Sequence, residues 1–208
     1  MPDSPPQALL FDLGGVLVDI DFSRALAAWA KHSRLSPAQL KEHFRFDTAY
    51  ERHERGQMTA AEYFAHLAAS LQLAATPAQV EEGWNAIFVG EITATRVLVE
   101  RARNQLPCFA FTNTNASHMA RWSQLFPRVV GAFDRIFASH HMGLRKPELA
   151  AFAHICAATG LPAHAIAFFD DLPENVQAAA DAGFRATLVR SPGDVARALE
   201  GFGLQVND

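Results

Sequence analysis

The sequence predicts an α/β protein: a parallel sheet covered on both faces by helices, with an all-helical insertion after the first strand. Three observations carry this prediction. Short apolar runs recur and end in polar residues, helical segments fall between these runs, and one long stretch has helical signals without a convincing strand. Parallel strands need crossover connections, so strands that alternate with helices indicate a buried parallel sheet.

Three apolar runs have the strongest strand signal. They occupy residues 8–12, 108–112 and 165–169, and each is followed by polar residues or by glycines. A short apolar run bounded by such residues is typical of a buried strand. Two weaker candidates occupy residues 135–138 and 186–189.

Four helices are predicted around the later strands, at residues 115–124, 147–159, 173–182 and 192–200. Three of them begin with a proline, which suits the first helical turn. Gly160 and Gly183 follow two of them as candidate C-caps.

The stretch of about residues 22–93 is predicted to form a separate helical unit. Residues 59–62 have the form of a capping box, and Thr76 with Pro77 resembles an N-cap followed by a first-turn proline. A helical block inserted at this point has the position of a cap over an active site. We therefore predict a core of residues 1–21 and 94–208 and a cap of residues 22–93.

Composition limits the partners of this chain. Half of its 208 residues are hydrophobic, which is enough to bury a large core without disulfides. A formal charge of −4 gives no basic field for nucleic acid or for an anionic membrane surface, so we expect neither partner. Cys108 and Cys156 lack metal-type spacing and are expected to be thiols in a reducing compartment.

The first seven residues contain three prolines and one acid, with no basic region and no apolar run. We expect neither a signal peptide nor a membrane anchor there, and hence a cytoplasmic protein. The sequence leaves open whether the protein is a monomer or a homodimer.

Five aromatic residues bear on the core and on a possible pocket. Trp29, Trp84 and Trp122 lie in helical patterns and are expected in the hydrophobic core. Phe44 and Phe46 either pack between helices or line the mouth of a pocket.

Polar residues follow each of the three strong strands, and a lysine stands in a loop before a predicted helix. The residues concerned are Asp12, Thr112, Asn113, Asp170, Asp171 and Lys146. Ligands of open parallel sheets bind outside the carboxyl ends of the strands, so these side chains are expected to converge on one edge.

Residues of these types suit phosphoryl transfer. A carboxylate such as Asp12 attacks phosphorus and splits one difficult step into two easier ones. The approach of a dianionic group requires positive charge, which Mg²⁺ on oxygen ligands and Lys146 can provide. Asp170 and Asp171 are adjacent like charges, an arrangement that itself favours a cation. The Thr112 hydroxyl and the backbone N–H groups after it can bind phosphate oxygens.

Four motifs in this order resemble those of the haloacid dehalogenase superfamily. They are Phe11-Asp12-Leu13-Gly14-Gly15-Val16-Leu17, Thr112-Asn113, Arg145-Lys146-Pro147 and Phe169-Asp170-Asp171-Leu172-Pro173-Glu174-Asn175. Each motif alone is weak, but four in order at predicted strand ends are specific, and they extend over nearly the whole chain.

The resemblance implies a Rossmann-like core with a helical cap, a small phosphorylated substrate and Mg²⁺ as the cofactor. Asp12 would be the nucleophile and Lys146 would steady it and the phosphoryl charge. The phosphate would bind Thr112 and Asn113. The metal ligands would be Asp12, the backbone carbonyl of Gly14, Asp171 and, directly or through water, Asp170, with Asn175 supporting them.

Within the superfamily, several segments resemble the bacterial α-D-glucose-1-phosphate phosphatases. These are residues 12–16, 18–22, 53–56 and 112–115. The resemblance implies a sugar-phosphate substrate, and His53 and Glu54 are its candidate contacts in the cap.

One position departs from the superfamily pattern. Most of its phosphatases carry a second aspartate two residues after the nucleophile, as a general acid worth about 10²–10⁴-fold; this chain has Gly14. A substitute acid would be His53, Glu54 or Asp19. Otherwise the substrate has a good leaving group, such as an anomeric sugar oxygen, or the protein is a weak or inactive phosphatase.

Two other functions are consistent with parts of the pattern. A 2-haloacid dehalogenase also forms an aspartate ester and lacks the second aspartate, but it needs no metal, which Asp170 and Asp171 argue against. A non-catalytic protein that retains a phosphate pocket would also explain Gly14.

Overall fold

The computed structural model describes residues 5–206, so most of the N-terminal segment for which we predicted no signal peptide lies outside the described residues. The strands are β1 Ala8–Phe11, β2 Val18–Ile20, β3 Phe88–Glu91, β4 Cys108–Thr112, β5 Arg135–Ala138, β6 Ile166–Asp170 and β7 Arg185–Leu188. Five of them form a sheet in the order β5-β4-β1-β6-β7, with every pair parallel. The predicted α/β class with a Rossmann-like core is confirmed.

Helices connect these strands and fill the insertion. They are α1 Ser23–Ala30, α2 Pro37–His43, α3 Thr48–Glu54, α4 Ala60–Ser70, α5 Pro77–Asn85, α6 Thr93–Arg103, α7 Ala116–Leu125, α8 Pro127–Gly131, α9 Ser139–Met142, α10 Leu149–Thr159, α11 Pro173–Asp181 and α12 Pro192–Gly201. None of the helices within residues 5–206 combines the length and hydrophobicity needed to cross a bilayer.

The central strand β1 is buried along its whole length and separates two hydrophobic clusters. Leu9 and Phe11 belong to one cluster and Leu10 to the other. Successive side chains of a strand point to opposite faces of the sheet, so the apolar run of β1 supplies both clusters at once.

The inserted helices have a hydrophobic cluster of their own. Trp29, Tyr63 and Trp84 lie at its centre. Capping boxes at Ser36, Thr59 and Thr76 start α2, α4 and α5, as the sequence indicates for the last two. The boundaries of the predicted cap, residues 22–93, stay a prediction.

Two local expectations were wrong, and one helix was not predicted. Residues 88–91 of the insertion form β3, which pairs antiparallel with β2 and thereby closes the insertion onto the end of the first core segment. Helix α10 starts at Leu149 rather than at Pro147, because the backbone of Glu148 is extended. Helix α6 was not predicted, because its β-branched residues favour strands, yet Thr95, Leu98 and Val99 bury one face of it.

The contact between α1 and α5 provides a test of the packing of the insertion. Gly83 of α5 lies against the Trp29 indole, and a Cβ there would collide with the ring whose Nε1 donates to Val80 O at 3.0 Å. We expect Gly83→Ala to lower the free energy of unfolding by about 1–3 kcal/mol, the usual cost of overpacking. Urea denaturation followed by tryptophan fluorescence measures it.

Gly201→Ala is the matched control, because a Cβ on that helical glycine meets nothing within 4 Å. It should leave stability unchanged or raise it by up to about 1 kcal/mol. Equal denaturation midpoints for the two variants would contradict the packing described for α1 and α5.

Candidate active site

The site lies where the central strands of the sheet end. Phe11 is paired with Ala110 of β4 and with Phe169 of β6, and the Asp12 N–H donates to Phe169 O at 2.8 Å. This register places Asp12 next to the last residues of both neighbouring strands. The convergence predicted from the sequence is therefore present.

Three carboxylates meet at this edge. Asp12, Asp170 and Asp171 each offer an oxygen, and these oxygens lie within 4.8 Å of one another. Burial raises the pKa of Asp12 to about 7, even though the Lys146 ammonium acts in the opposite direction. Burial and the neighbouring Asp170 also raise the pKa of Asp171. The site thus holds more negative charge than Lys146 compensates.

Lys146 is fixed at the centre of the cluster. Its ammonium lies 2.8 Å from Asp12 Oδ1 and 2.6 Å from Asp170 Oδ2, and it donates to Phe111 O at 2.8 Å. The side chain is 1% exposed. Burial alone would lower its pKa, but the two carboxylates raise it above the ordinary value, so Lys146 stays charged.

Asp170 differs from Asp171 in what it faces. Asp170 is fully buried, and its oxygens accept from Lys146 Nζ, from the Leu172 N–H at 2.9 Å and from Asn175 Nδ2 at 3.0 and 3.1 Å. Asp171 instead lines a large cavity between the sheet edge and the insertion. Asp170 therefore holds Lys146, while Asp171 is the member of the pair with a carboxylate free to meet a ligand.

Asn113 has a positioning role that the sequence did not indicate. Its Nδ2 donates to Lys146 O at 2.9 Å, and its Oδ1 accepts from the Lys146 N–H at 2.8 Å. The oxygen and the nitrogen of the Asn113 side chain thus both bind the main chain of Lys146. The geometry therefore does not support the expectation that this side chain binds phosphate. Thr112 lines the cavity, and its hydroxyl makes no hydrogen bond within residues 5–206, so it can meet a ligand.

The two glycines after Asp12 differ in the space around them. Gly15 has φ +72°, and a Cβ there would collide with the Asp171 carboxylate, so only glycine fits. Gly14 lines the cavity, and a Cβ on it would meet only the flexible end of Ile20, at 3.3 Å.

Glu54 reaches the cavity from the insertion. It is 4% exposed; its Oε2 accepts from Arg145 Nε at 2.8 Å and its Oε1 accepts from the Tyr50 hydroxyl at 2.8 Å. Burial raises the pKa of Glu54, while Arg145 and Tyr50 act against that rise. Glu54 thus connects the insertion to the loop that carries Lys146.

His53 lies elsewhere. Its ring stacks on Tyr63 at 4.4 Å between centroids, its Nδ1 lies 3.2 Å from Met58 O, and it borders a small separate cavity with Gly56 and His140. The large cavity is not lined by His53, so the geometry does not support the expectation that it contacts substrate. Successive helical residues point about 100° apart, which is why Glu54 faces the cavity and the adjacent His53 does not.

The large cavity has a volume of about 620 Å³ and lies between the sheet edge and the insertion. Besides the polar residues above, aromatic side chains line it: Phe22, Phe46, Tyr50, Trp84, Phe88 and Trp122. Sequence reasoning missed this wall, because its residues come from separate helices, strands and loops and share no spacing. Of the two phenylalanines considered for the pocket mouth, Phe46 lines the cavity, whereas Phe44 is buried in the insertion's cluster.

Curated relatives share about a quarter of this sequence. A protein named as a phosphatase from Mycobacterium tuberculosis is 27% identical over 195 residues, which cover 89% of this chain and 88% of that protein. A drimenol cyclase from Aspergillus calidoustus is 26% identical over 205 residues, 93% of this chain; the chain spans only 36% of that cyclase.

Solved structures share the fold. A HAD family enzyme of Bacteroides thetaiotaomicron, in complex with magnesium and inorganic phosphate, has a TM-score of 0.78 at 25% identity, covering 88% of this chain and 93% of that one. An L-2-haloacid dehalogenase of Xanthobacter autotrophicus has a TM-score of 0.66 at 17% identity, covering 96% and 84%, which shows the fold alone.

The model of the family described as haloacid dehalogenase-like hydrolase matches residues 6–183. That span includes the strand ends, the lysine loop and the whole insertion. This chain belongs to the haloacid dehalogenase-like hydrolases.

Proposed function

We propose that this chain is a Mg²⁺-dependent phosphatase that hydrolyses phosphate monoesters of small organic molecules through an aspartyl-phosphate on Asp12. The observation that carries the proposal is the cluster of three carboxylates around one ammonium, beside a free threonine hydroxyl at one end of a cavity. The phosphatase name of the mycobacterial relative and the magnesium and phosphate in the Bacteroides enzyme support it.

The donor set fits Mg²⁺. Asp12 and Asp171 offer carboxylate oxygens at the cavity, the hard ligands that this ion prefers. The charge of the site is a second reason to expect a cation there. Three carboxylates lie beside a single ammonium, and burial raises the pKa of Asp12 because its negative charge is incompletely compensated. When bound there, Mg²⁺ supplies charge neutralisation between the phosphate group and the attacking carboxylate.

The side chains of this chain have distinct tasks in the proposed reaction. Lys146 holds Asp12 Oδ1 at 2.8 Å, which leaves Oδ2 to attack phosphorus while the ester oxygen departs with the bonding electrons. Water then attacks the phosphorus of the aspartyl-phosphate, releases inorganic phosphate and regenerates Asp12. The Thr112 hydroxyl binds a phosphoryl oxygen. Lys146, whose three N–H bonds go to Asp12, Asp170 and Phe111 O, stabilises the phosphoryl charge through its own charge rather than through a further hydrogen bond.

Protonation of the leaving oxygen is the step for which this chain lacks the usual residue. Among the three substitutes predicted from the sequence, Asp19 and His53 do not line the cavity and Glu54 does. Glu54 is therefore the candidate acid that the geometry leaves, and its raised pKa favours retention of a proton compared with an exposed glutamate.

Asp12→Asn tests the nucleophile. We expect release of phosphate from p-nitrophenyl phosphate, measured with Mg²⁺, to fall by more than about 10³-fold, because an amide neither attacks phosphorus nor binds the metal as well. Asp181→Asn, at the exposed end of α11, is the matched control and should keep full activity. Equal rates for wild type and Asp12→Asn would refute the aspartyl-phosphate.

Three measurements on the wild-type protein separate a phosphatase from a dehalogenase and from a non-catalytic protein. Phosphatase activity should disappear with a chelator and return with Mg²⁺, over a panel that includes the sugar phosphates implied by the motif resemblance. Chelator-insensitive chloride release from 2-chloropropionate would show a dehalogenase instead. Binding of phosphate compounds without turnover of any would show a non-catalytic relative.

Gly14→Asp tests the missing acid. Only the flexible end of Ile20 stands near the new Cβ, so the substitution should be accommodated. We expect the kcat for n-butyl phosphate, whose alkoxide needs a proton, to rise by up to about 10²-fold, with little change for p-nitrophenyl phosphate. Gly14→Asn, which has the same shape without an acid, should show no such rise. An identical ratio of the two substrates in all three proteins would mean that this position does not limit protonation.

A further inference from the structure

The large cavity has two chemically different ends. Asp12, Thr112, Lys146 and Asp171 form the polar end, at the edge of the sheet. Most of the remaining lining is apolar and aromatic, and it includes Ile20, Phe22, Phe46, Trp84, Phe88 and Trp122. A volume of about 620 Å³ lies within the range of about 300–1,000 Å³ that is typical of sites for organic ligands.

Several polar side chains that line the cavity are hydrogen-bonded to other groups of the protein. The Tyr50 hydroxyl and Arg145 Nε both donate to Glu54. The Trp84 indole N–H points at Asn115 Oδ1 at 3.5 Å, and the Trp122 indole N–H at Thr114 Oγ1 at 3.5 Å. The polar atoms of Tyr50, Trp84 and Trp122 therefore have partners within the protein, while Glu174, at the exposed edge of the cavity, takes no part in these contacts.

The ring nitrogens of His118 also have partners within the protein. Burial lowers its pKa to about 3, so the ring is neutral, and its nitrogens lie 3.0 Å from Trp84 O and 3.2 Å from Asn115 Nδ2. The ring stacks on Trp84 at 4.6 Å between centroids and extends the aromatic surface. A buried hydroxyl without a partner weakens binding, whereas an apolar group on this wall strengthens it.

The mouth of the cavity is apolar as well. Phe46 is 69% exposed, Ile20 46% and Leu172 44%, and all three line the cavity. Large apolar side chains that are open to solvent at the rim of a concave site mark a place where a ligand covers them. This rim is continuous with the inner wall, so an extended apolar chain would cover both.

We propose that the organic group of the substrate is apolar, so that the substrate class is phosphate monoesters of hydrophobic alcohols rather than of sugars. The proposal rests on the phosphatase function for its polar end and on the aromatic wall for its apolar end. The phosphate would lie among Thr112, Lys146 and the metal ligands, and the hydrocarbon would extend past Trp84 and Trp122 towards Phe46.

A binding series tests the apolar wall without requiring turnover. n-Alkyl phosphonates with four, six, eight and ten carbons, kept below their micelle concentrations, are titrated into the protein with Mg²⁺. We expect Kd to fall by roughly fourfold for each added CH₂ until the wall is covered. Phe46→Ala should flatten the series at its longer members. Leu149→Ala, which changes another exposed apolar residue that does not line the cavity, should leave the series unchanged.

Turnover of the matching n-alkyl phosphates is then compared with that of glucose 1-phosphate. Rising affinity with chain length and a higher kcat/KM for octyl phosphate than for glucose 1-phosphate support the proposal. A Kd independent of chain length, or a preference for glucose 1-phosphate, overturns the proposal of an apolar substrate. The phosphatase function still stands in that case, provided that the wild type hydrolyses a phosphate ester and Asp12→Asn does not. Length-dependent binding without hydrolysis of any ester overturns the phosphatase function alone.

Discussion

The buried ammonium of Lys146 is the constraint on which the site depends. A charge removed from water is costly unless partners compensate it, and here Asp12, Asp170 and Phe111 O surround it. The partners depend on the lysine in turn, because three carboxylates so close together repel one another. Neither the strand ends nor the lysine loop would hold this arrangement alone.

Several residues without reactive groups keep this ion cluster in place. The Asn113 amide grips the Lys146 main chain at both its N–H and its carbonyl, and Asn175 holds the Asp170 carboxylate. Gly15 allows the Asp171 carboxylate to pack directly against the backbone that follows Asp12. The cluster is thus rigid on the protein side and has its unused oxygens at the cavity.

The insertion contacts the core next to the site through ion pairs and through one aromatic stack. Glu54 pairs with Arg145, next to the catalytic lysine candidate, and Arg55 pairs with Glu148 in the same loop. Trp84 stacks on His118 of α7, so the inner wall of the cavity is shared between insertion and core. Five of the six aromatic residues that line the cavity therefore come from the insertion, while the sheet edge contributes the three carboxylates and the lysine loop the ammonium.

Sequence alone predicted the parallel strands, the helices α7, α10, α11 and α12 and the residues of the polar end of the site. Apolar runs that end in Asp12, Thr112 and Asp170 predict parallel strands because that pattern is local, and the carboxyl ends of such strands must meet at one edge. Strand β3 and helix α6 escaped prediction because pairing with β2 and packing on the sheet override their local preferences. Only the tertiary structure decided that the Asn113 side chain holds a lysine, that Glu54 rather than His53 faces the cavity, and that six aromatic residues from distant segments form one wall. Such contacts join residues far apart in the chain, and no spacing in the sequence records them.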